Sequence, residues 1–266
     1  MYIELSEVDY YVKESEQKKD AWYQPFCGVE AISPTRKEVV LRLCKEVCCY
    51  EKFPLWNHDL IVYLFPYCST MIDQIVMLPI VGSGKHFDAK VLTHDGTDYL
   101  VVDLLNIADY TSSVMEMCYI LHNLCHVHLL RYYLNHAYKK PMAYIPQLEY
   151  RFFCEGLIQY LSWNENVAEY RLKEARYVHR KKDAFYTLNK AFEIKEKQFR
   201  EQILYMLDKL DLWQRFTDIA GMFYCDCLYQ AGGKRRIKEY VDAGFEGSVT
   251  ALIENASQHP LSILKK

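Results

Sequence analysis

The chain has 266 residues, of which 51% are hydrophobic and 25% are charged, and its formal net charge is −3 at pH 7. This is the composition of a globular protein with a sizeable core, and 23 tyrosines and 12 phenylalanines argue against intrinsic disorder. The small negative charge does not indicate nucleic acid or an anionic membrane as the main partner.

The first residues carry Glu4, Glu7 and Asp9 and lack the apolar core of a signal peptide. No apolar run approaches the roughly 20 residues that a membrane-spanning helix needs. Without an export signal, the ten cysteines are interpreted as reduced, packed thiols rather than disulfides. We therefore expect a cytoplasmic protein with neither a membrane nor a nucleic acid as partner.

The N-terminal half predicts a helix and then a small sheet. Apolar residues at helical spacing, among them Val40, Leu43 and Val47, predict an amphipathic helix over residues 36–52. Three short β-branched runs follow between residues 74 and 105 and predict strands. The pair Asp95-Gly96 separates the last two runs and predicts a hairpin turn.

After Tyr110 the pattern is helical almost to the end of the chain. Ser113 and Glu116 have the spacing of a capping box and predict the start of a helix that runs to about residue 139. Further helices are predicted at about 147–163, 165–181, 185–209, 212–230, 234–242 and 247–256.

Strands followed by helices predict an α+β fold, with a small antiparallel sheet followed by a mainly helical bundle and a cleft between the two. We expect a single domain over residues 1–266, with an N-terminal α/β part to about residue 110 and a helical part from about residue 111.

Two clusters in the helical part have ordinary explanations. The basic run from His179 to Lys182 is interpreted as a solvated helix end or loop. Cys225 and Cys227 lack the paired spacing of a structural zinc site, so packing is the expected role and a second metal site is the alternative.

His122 and His126 are the first candidate functional residues. The helix around them is apolar on nearly every side, which predicts that it lies in the interior. Four residues apart, the two imidazoles are about 40° apart around the helix and one turn apart along it, so both can reach one divalent ion. The alternative is a pair of hydrogen-bonded core histidines, because this spacing alone is weak.

A third ligand is predicted about thirty residues further on. Glu155 stands among aromatic and aliphatic residues, where a buried carboxylate needs a cation or a proton. Gly156 follows it and predicts the close approach of another backbone, for which the histidine helix is the candidate. The alternative for Glu155 is an ordinary surface glutamate.

This order of elements resembles the gluzincin group of zinc metallopeptidases, whose pattern is HExxH followed by Glu-Gly, and bacterial families of small predicted zinc-dependent peptidases in particular. The resemblance covers roughly residues 75–165. It implies that His122, His126 and Glu155 hold Zn²⁺, that a peptide or protein binds in the cleft, and that residues 99–105 form the edge strand of that cleft. Two histidines and a carboxylate also suit iron, manganese or nickel.

One position departs from the family pattern. Asn123 follows the first histidine, where the family has the glutamate that takes a proton from the metal-bound water. An amide has no basic site, and loss of a general base commonly costs about 10²–10⁴-fold in rate. Three hypotheses therefore stand: a metal-binding protein with weak or no peptidase activity, a hydrolase with a relocated base, and a non-enzymatic peptide- or protein-binding scaffold without metal.

Overall fold

The computed structural model describes residues 1–5, 8, 22–23, 33–49, 56–83, 87–162, 175–210 and 214–249. Residues 165–174 of the helix predicted at 165–181, and residues 250–256 of the helix predicted at 247–256, lie outside these ranges. The chain divides into two compact units, the first formed by Met1–Leu55 and Tyr67–Tyr133 and the second by Trp56–Pro66 and Leu134–Lys266. The expectation of a single domain over the whole chain stays a prediction.

The first unit contains a four-stranded sheet with helices, in the order β1-β2-β4-β3. The strands are β1 (Tyr2–Ile3), β2 (Val76–Ile80), β3 (Ala89–His94) and β4 (Thr97–Asp103). The helices of this unit are α1 (Pro34–Cys49), α3 (Cys68–Asp73), α4 (Leu104–Ala108) and most of α5 (Val114–Ala137).

The mixture of strands and helices confirms the predicted α+β fold class. The sheet differs from the prediction in being mixed, because only β3 and β4 are antiparallel while β2 runs parallel to both β1 and β4. The last four residues of β4 are buried, whereas in β3 only Ala89 is buried. The more apolar strand therefore occupies the interior position, as strands with parallel partners do.

This strand order corrects one expectation. Residues 99–103 belong to β4, which has β2 on one side and β3 on the other, and residues 104 and 105 already belong to α4. The predicted edge strand is thus an internal strand of the sheet. The edges among the described strands are β1 and β3.

The predicted hairpin is confirmed. Asp95 and Gly96 have φ values of 46° and 73°, and they join β3 to β4 with His94 paired to Thr97. Positive φ at both central residues is the mark of a type I′ turn, which favours glycine and matches the twist of the two strands.

A buried aspartate ties the end of β4 to its surroundings. Asp103 caps α4 by accepting hydrogen bonds from the backbone N–H groups of Leu105 and Asn106, at 2.9 and 3.2 Å. The same carboxylate accepts from the backbone of Gly82, at 3.0 Å, and of Ser83. Four N–H donors satisfy a fully buried carboxylate and fix the loop that follows β2.

The second unit is helical and has an aromatic core. Its helices are α2 (His58–Leu64), α6 (Tyr144–Tyr150), α7 (Gly156–Leu161), α8 (Ala175–Glu193), α9 (Lys197–Lys209) and α10 (Phe216–Ala243), with a π-helical turn at Arg151–Glu155 between α6 and α7. Phe153 packs edge-to-face on Tyr138, with ring centroids 5.1 Å apart, and Tyr150 packs in the same way on Phe245, at 5.5 Å.

Two features of the helical unit agree with the sequence pattern. The predicted break between helices ending at residue 230 and starting at residue 234 is a kink in α10, where Gly232 and Gly233 leave the helical conformation. Helix α8 buries Ala184, Leu188 and Ala191 on one face, as an amphipathic helix does, although it runs unbroken through residues 182–184, where two separate helices had been predicted. Within the described ranges, no helix combines the length and the apolar character that crossing a bilayer requires.

Candidate metal centre

The histidine pair lies on α5 in the first unit. His126 has no exposed surface and His122 is half-buried, whereas Leu121, Cys125 and Leu129 around them are fully buried. The helix begins as predicted, with the Ser113 hydroxyl accepting a hydrogen bond from the backbone N–H of Glu116 at 3.4 Å. Its middle is interior as expected, although its first turn is exposed at Met115.

Burial keeps both imidazoles neutral. It lowers the pKa of His122 from 6.5 to about 4. It lowers the pKa of His126 to about 3, with a further contribution from the neighbouring His122. A metal-binding imidazole must be neutral, since the lone pair that would take a proton is the one that binds the ion. The electrostatic state of the pair therefore suits a divalent cation.

The residues between the two histidines do not supply a nucleophile or a base. Burial raises the pKa of Cys125 to about 12, so its thiol is protonated and packs as an apolar group. Asn123 is half-buried next to His122, at the position of the absent glutamate. Its amide can donate or accept a hydrogen bond but cannot take a proton from water.

Glu155 lies in the second unit, at the end of the π-helical turn. It is half-buried, whereas the four residues before it are all buried. Single π-helical turns inside α-helices occur often at functional sites, because the extra residue changes the direction in which side chains point. This turn was not predictable from the sequence, because its residues fit an α-helix equally well.

A buried aspartate accompanies Glu155 and was missed in the sequence. Asp218, in the first turn of α10, has no exposed surface. Burial and, in second place, the negative charge of Glu155 raise the pKa of Asp218 to about 7. Two carboxylates that share one environment resist double ionisation. We call Glu155 and Asp218 the carboxylate pair. A charged residue in the apolar run from Thr217 to Phe223 was the available signal.

Cationic and polar groups moderate the cost of this burial. The Thr217 hydroxyl donates a hydrogen bond to Asp218 at 2.8 Å, and the Arg215 guanidinium lies 3.5 Å from its other oxygen. Arg151, at the start of the π-helical turn, also favours the charged form of Asp218. Its guanidinium contacts Asp208 and donates to the carbonyl of Leu207 at 3.4 Å.

The predicted close approach at Gly156 is present. A Cβ atom added to Gly156 would lie 2.5 Å from the Cα atom of Gly221, and one added to Gly221 would lie 1.9 Å from the carbonyl oxygen of Phe152. The close neighbour is therefore α10 of the same unit, whereas the sequence had suggested the histidine helix. Two glycines let the backbones of α7 and α10 touch directly.

The expected metal site stays a prediction. The structure brings together His122 and His126, which are chemically suited to two positions around a divalent ion. Glu155 belongs to the other compact unit and accompanies Asp218. In the part of the chain that is described, no group of three or more histidine, cysteine, aspartate or glutamate side chains is arranged to hold a metal ion.

Comparisons of this chain with models of protein families, with curated proteins and with solved structures give no match. The resemblance to gluzincins therefore rests on the sequence pattern alone.

Proposed function

We propose that this chain is a zincin-like metallopeptidase homologue whose histidine pair takes up one divalent metal ion, zinc in the first place, and whose peptidase activity is weak or absent. The observation that carries the proposal is the pair of neutral imidazoles one turn apart on α5, of which His126 is fully buried and His122 half-buried. We place its action in the cytoplasm, on a peptide or a protein segment.

The two histidines account for part of a zinc site. A catalytic zinc site has three protein ligands and an open position for water or substrate. Glu155 remains the sequence-based prediction for the third ligand. Zinc, when bound, would polarise a water molecule or a carbonyl group. The described residues do not assemble a set of three ligands for the ion.

Asn123 determines the expected level of activity. Peptide hydrolysis at such a site needs a group that accepts a proton from water and returns it to the leaving amine. The side chain of Asn123 has no such capacity, and the next residue toward the middle of the helix that carries a basic group is His126 itself. We therefore expect binding of a peptide without its efficient cleavage.

A second candidate is a non-enzymatic peptide- or protein-binding scaffold that holds no metal. The absence of a three-residue ligand group among the described residues favours it. In that case the two imidazoles are core groups of α5, kept neutral by burial alone.

The substitution Asn123→Glu separates the two candidates. Peptidase activity of the wild type and the variant is measured on a mixed peptide library with and without added zinc, and Asn123→Gln serves as the control that keeps an amide. The proposal predicts zinc-dependent cleavage by Asn123→Glu that exceeds the wild-type rate by about 10²-fold or more. Cleavage by the wild type at the rate of the variant would refute it, and no cleavage by either with zinc present would favour the scaffold.

A further inference from the structure

Two stretches of the second unit carry positive charges and no negative ones. Residues 177–182 contain three lysines or arginines, residues 227–238 contain four, and neither stretch holds an aspartate or a glutamate. The formal net charge of −3 therefore divides into +7 on these two stretches and −10 on the rest of the chain. The chain is acidic as a whole, but much of its positive charge is concentrated in two places.

Helix α8 places the first stretch beside the middle of α10. The Nζ atom of Lys181 donates a hydrogen bond to the Sγ atom of Cys227 at 3.2 Å and lies 6.0 Å from the centroid of the Phe223 ring. Toward the other end of α8, Ala191 belongs to a buried cluster against which Phe216, at the start of α10, packs. The two helices therefore run antiparallel, so the beginning of α8 lies beside the residues that follow Cys227.

Two glycines bring the second stretch to the same end of the unit. Gly232 and Gly233 leave the helical conformation, and the chain after them folds back on the part before them. The ring centroids of Tyr224 and Tyr240 lie 5.3 Å apart, whereas an unbroken helix would separate these residues by about 24 Å. Lys234 is the first residue after this turn, so it lies at the tip of a helical hairpin, near the beginning of α8.

The basic side chains at this end of the unit face solvent. The basic end, as we call it, consists of five exposed residues: Arg180, Lys182, Lys234, Arg235 and Arg236. Arg235 and Arg236 share one acidic neighbour, Glu239, at 3.3 and 2.9 Å. Within the described part of the chain, Lys182 and Lys234 take part in no ion pair. Clustered like charges repel one another, so the stability of the unit does not account for this arrangement.

We propose that the basic end binds a short acidic segment of a partner protein. Complementary charges at such a surface determine the choice of partner and speed the encounter. Two adjacent helices are roughly 20 Å across, a distance that an extended segment of about six residues spans. A short segment stays within this area, whereas a long polyanion would extend beyond it and be repelled by the net charge of −10 on the rest of the chain. The charge distribution thus favours an acidic peptide over a nucleic acid or an anionic membrane.

Fluorescence anisotropy with two labelled peptides tests the proposal. One peptide has about eight residues, most of them glutamate, and the other has glutamine in place of each glutamate. The full-length protein should bind the glutamate peptide at least about tenfold more tightly at about 50 mM salt, and about 300 mM salt should weaken that binding about tenfold, because salt screens exposed charges. Equal binding of the two peptides would overturn the proposal. The basic end lies wholly within the second unit, so this result does not depend on the proposed metal centre.

Two double variants with the same change in net charge locate the binding surface. Lys182→Gln with Lys234→Gln removes two charges of the basic end and should weaken binding of the glutamate peptide about tenfold. Lys195→Gln with Lys209→Gln removes two exposed charges elsewhere in the unit and should change the affinity less than about twofold. Circular dichroism checks that both variants are folded. Equal weakening in the two variants would contradict the assignment to the basic end.

Other occupants of the basic end give distinct results. Tighter binding of single-stranded DNA of about 30 nucleotides, or of phosphatidylserine vesicles, than of the glutamate peptide at about 150 mM salt would overturn the proposal. A salt-sensitive dimer that forms without peptide, and that the Lys182→Gln and Lys234→Gln variant does not form, would identify a second copy as the occupant and would also overturn it. We expect weaker binding of both polyanions and no such dimer in sedimentation velocity.

Discussion

The two compact units each hold a pair of ionisable side chains of which one is fully buried, but the two pairs are of opposite charge type. In the first unit burial lowers the pKa of His122 and His126, and in the second it raises the pKa of Asp218 beside Glu155. The two histidines and Asp218 are thereby shifted toward their uncharged forms. The histidine pair is built within one helix, whereas the carboxylate pair needs two helices to pack together. Local periodicity therefore predicts the first pair, and only the tertiary structure reveals the second.

The largest expected effect is on the packing that assembles the carboxylate pair. In Gly221→Ala the new methyl group would lie 1.9 Å from the backbone oxygen of Phe152, so α10 must move. We expect a loss of about 3 kcal/mol or more in the free energy of unfolding, measured by urea denaturation. Gly96→Ala adds the same methyl in open space at positive φ and should cost only about 1 kcal/mol. Equal losses in the two variants would contradict the close contact.

The next largest effect is expected on the stability of the folded protein at low pH, through the histidine pair. The pKa of His126 is lowered to about 3 in the folded protein, so the unfolded chain binds the proton more tightly. Its contribution to stability is complete above the unfolded pKa of about 6.5 and is lost as the pH falls toward 3. Relative to His126→Gln, the metal-free wild type should lose on the order of 2–3 kcal/mol between pH 6.5 and 4.5. Parallel stability profiles for the two proteins would show that His126 is not held neutral.

The contribution of the carboxylate pair to stability should change with pH in the opposite direction. The pKa of Asp218 is raised to about 7, so the folded protein binds the proton more tightly than the unfolded chain. This contribution is complete below the unfolded pKa of about 4 and is lost as the pH rises toward 7. Relative to Asp218→Asn, the wild type should lose on the order of 2 kcal/mol between pH 4.5 and 6.5. A wild type that gains stability over this range relative to the variant would refute the assignment.

The smallest effect is expected at an exposed charge pair, which shows what burial adds. Arg36 contacts Asp109, and both side chains are more than 40% exposed, at 49% and 42%. Because solvent screens such pairs, Arg36→Ala should change the free energy of unfolding by about 0.5 kcal/mol or less. Thermal unfolding of the wild type and the variant measures this, and a loss above about 2 kcal/mol would contradict it.

Features that depend on neighbours along the chain were predictable. The helical spacing of Val40, Leu43 and Val47 gave α1, and the Asp95-Gly96 pair gave the hairpin. The histidine face of α5 also followed from the four-residue spacing. In each case the physical cause acts within a few residues, through side-chain periodicity or turn geometry.

Features that depend on distant residues were not predictable from one sequence. The parallel pairing of β4 with β2 joins residues more than twenty positions apart in the chain, so it depends on the assembly of the whole sheet. The neighbourhood of Glu155 and Asp218 requires the glycine contact between α7 and α10. The hydrogen bond from the Lys181 ammonium group to the Cys227 thiol likewise depends on how two helices pack together.

The central claim is that the histidine pair binds a metal ion, and metal content tests it most directly. The purified, untagged protein is analysed by elemental mass spectrometry beside His122→Ala, before and after zinc is offered and excess is removed. The account predicts about one zinc ion per wild-type chain and none in His122→Ala. No metal in the wild type after zinc is offered, or equal amounts in both proteins, would contradict it.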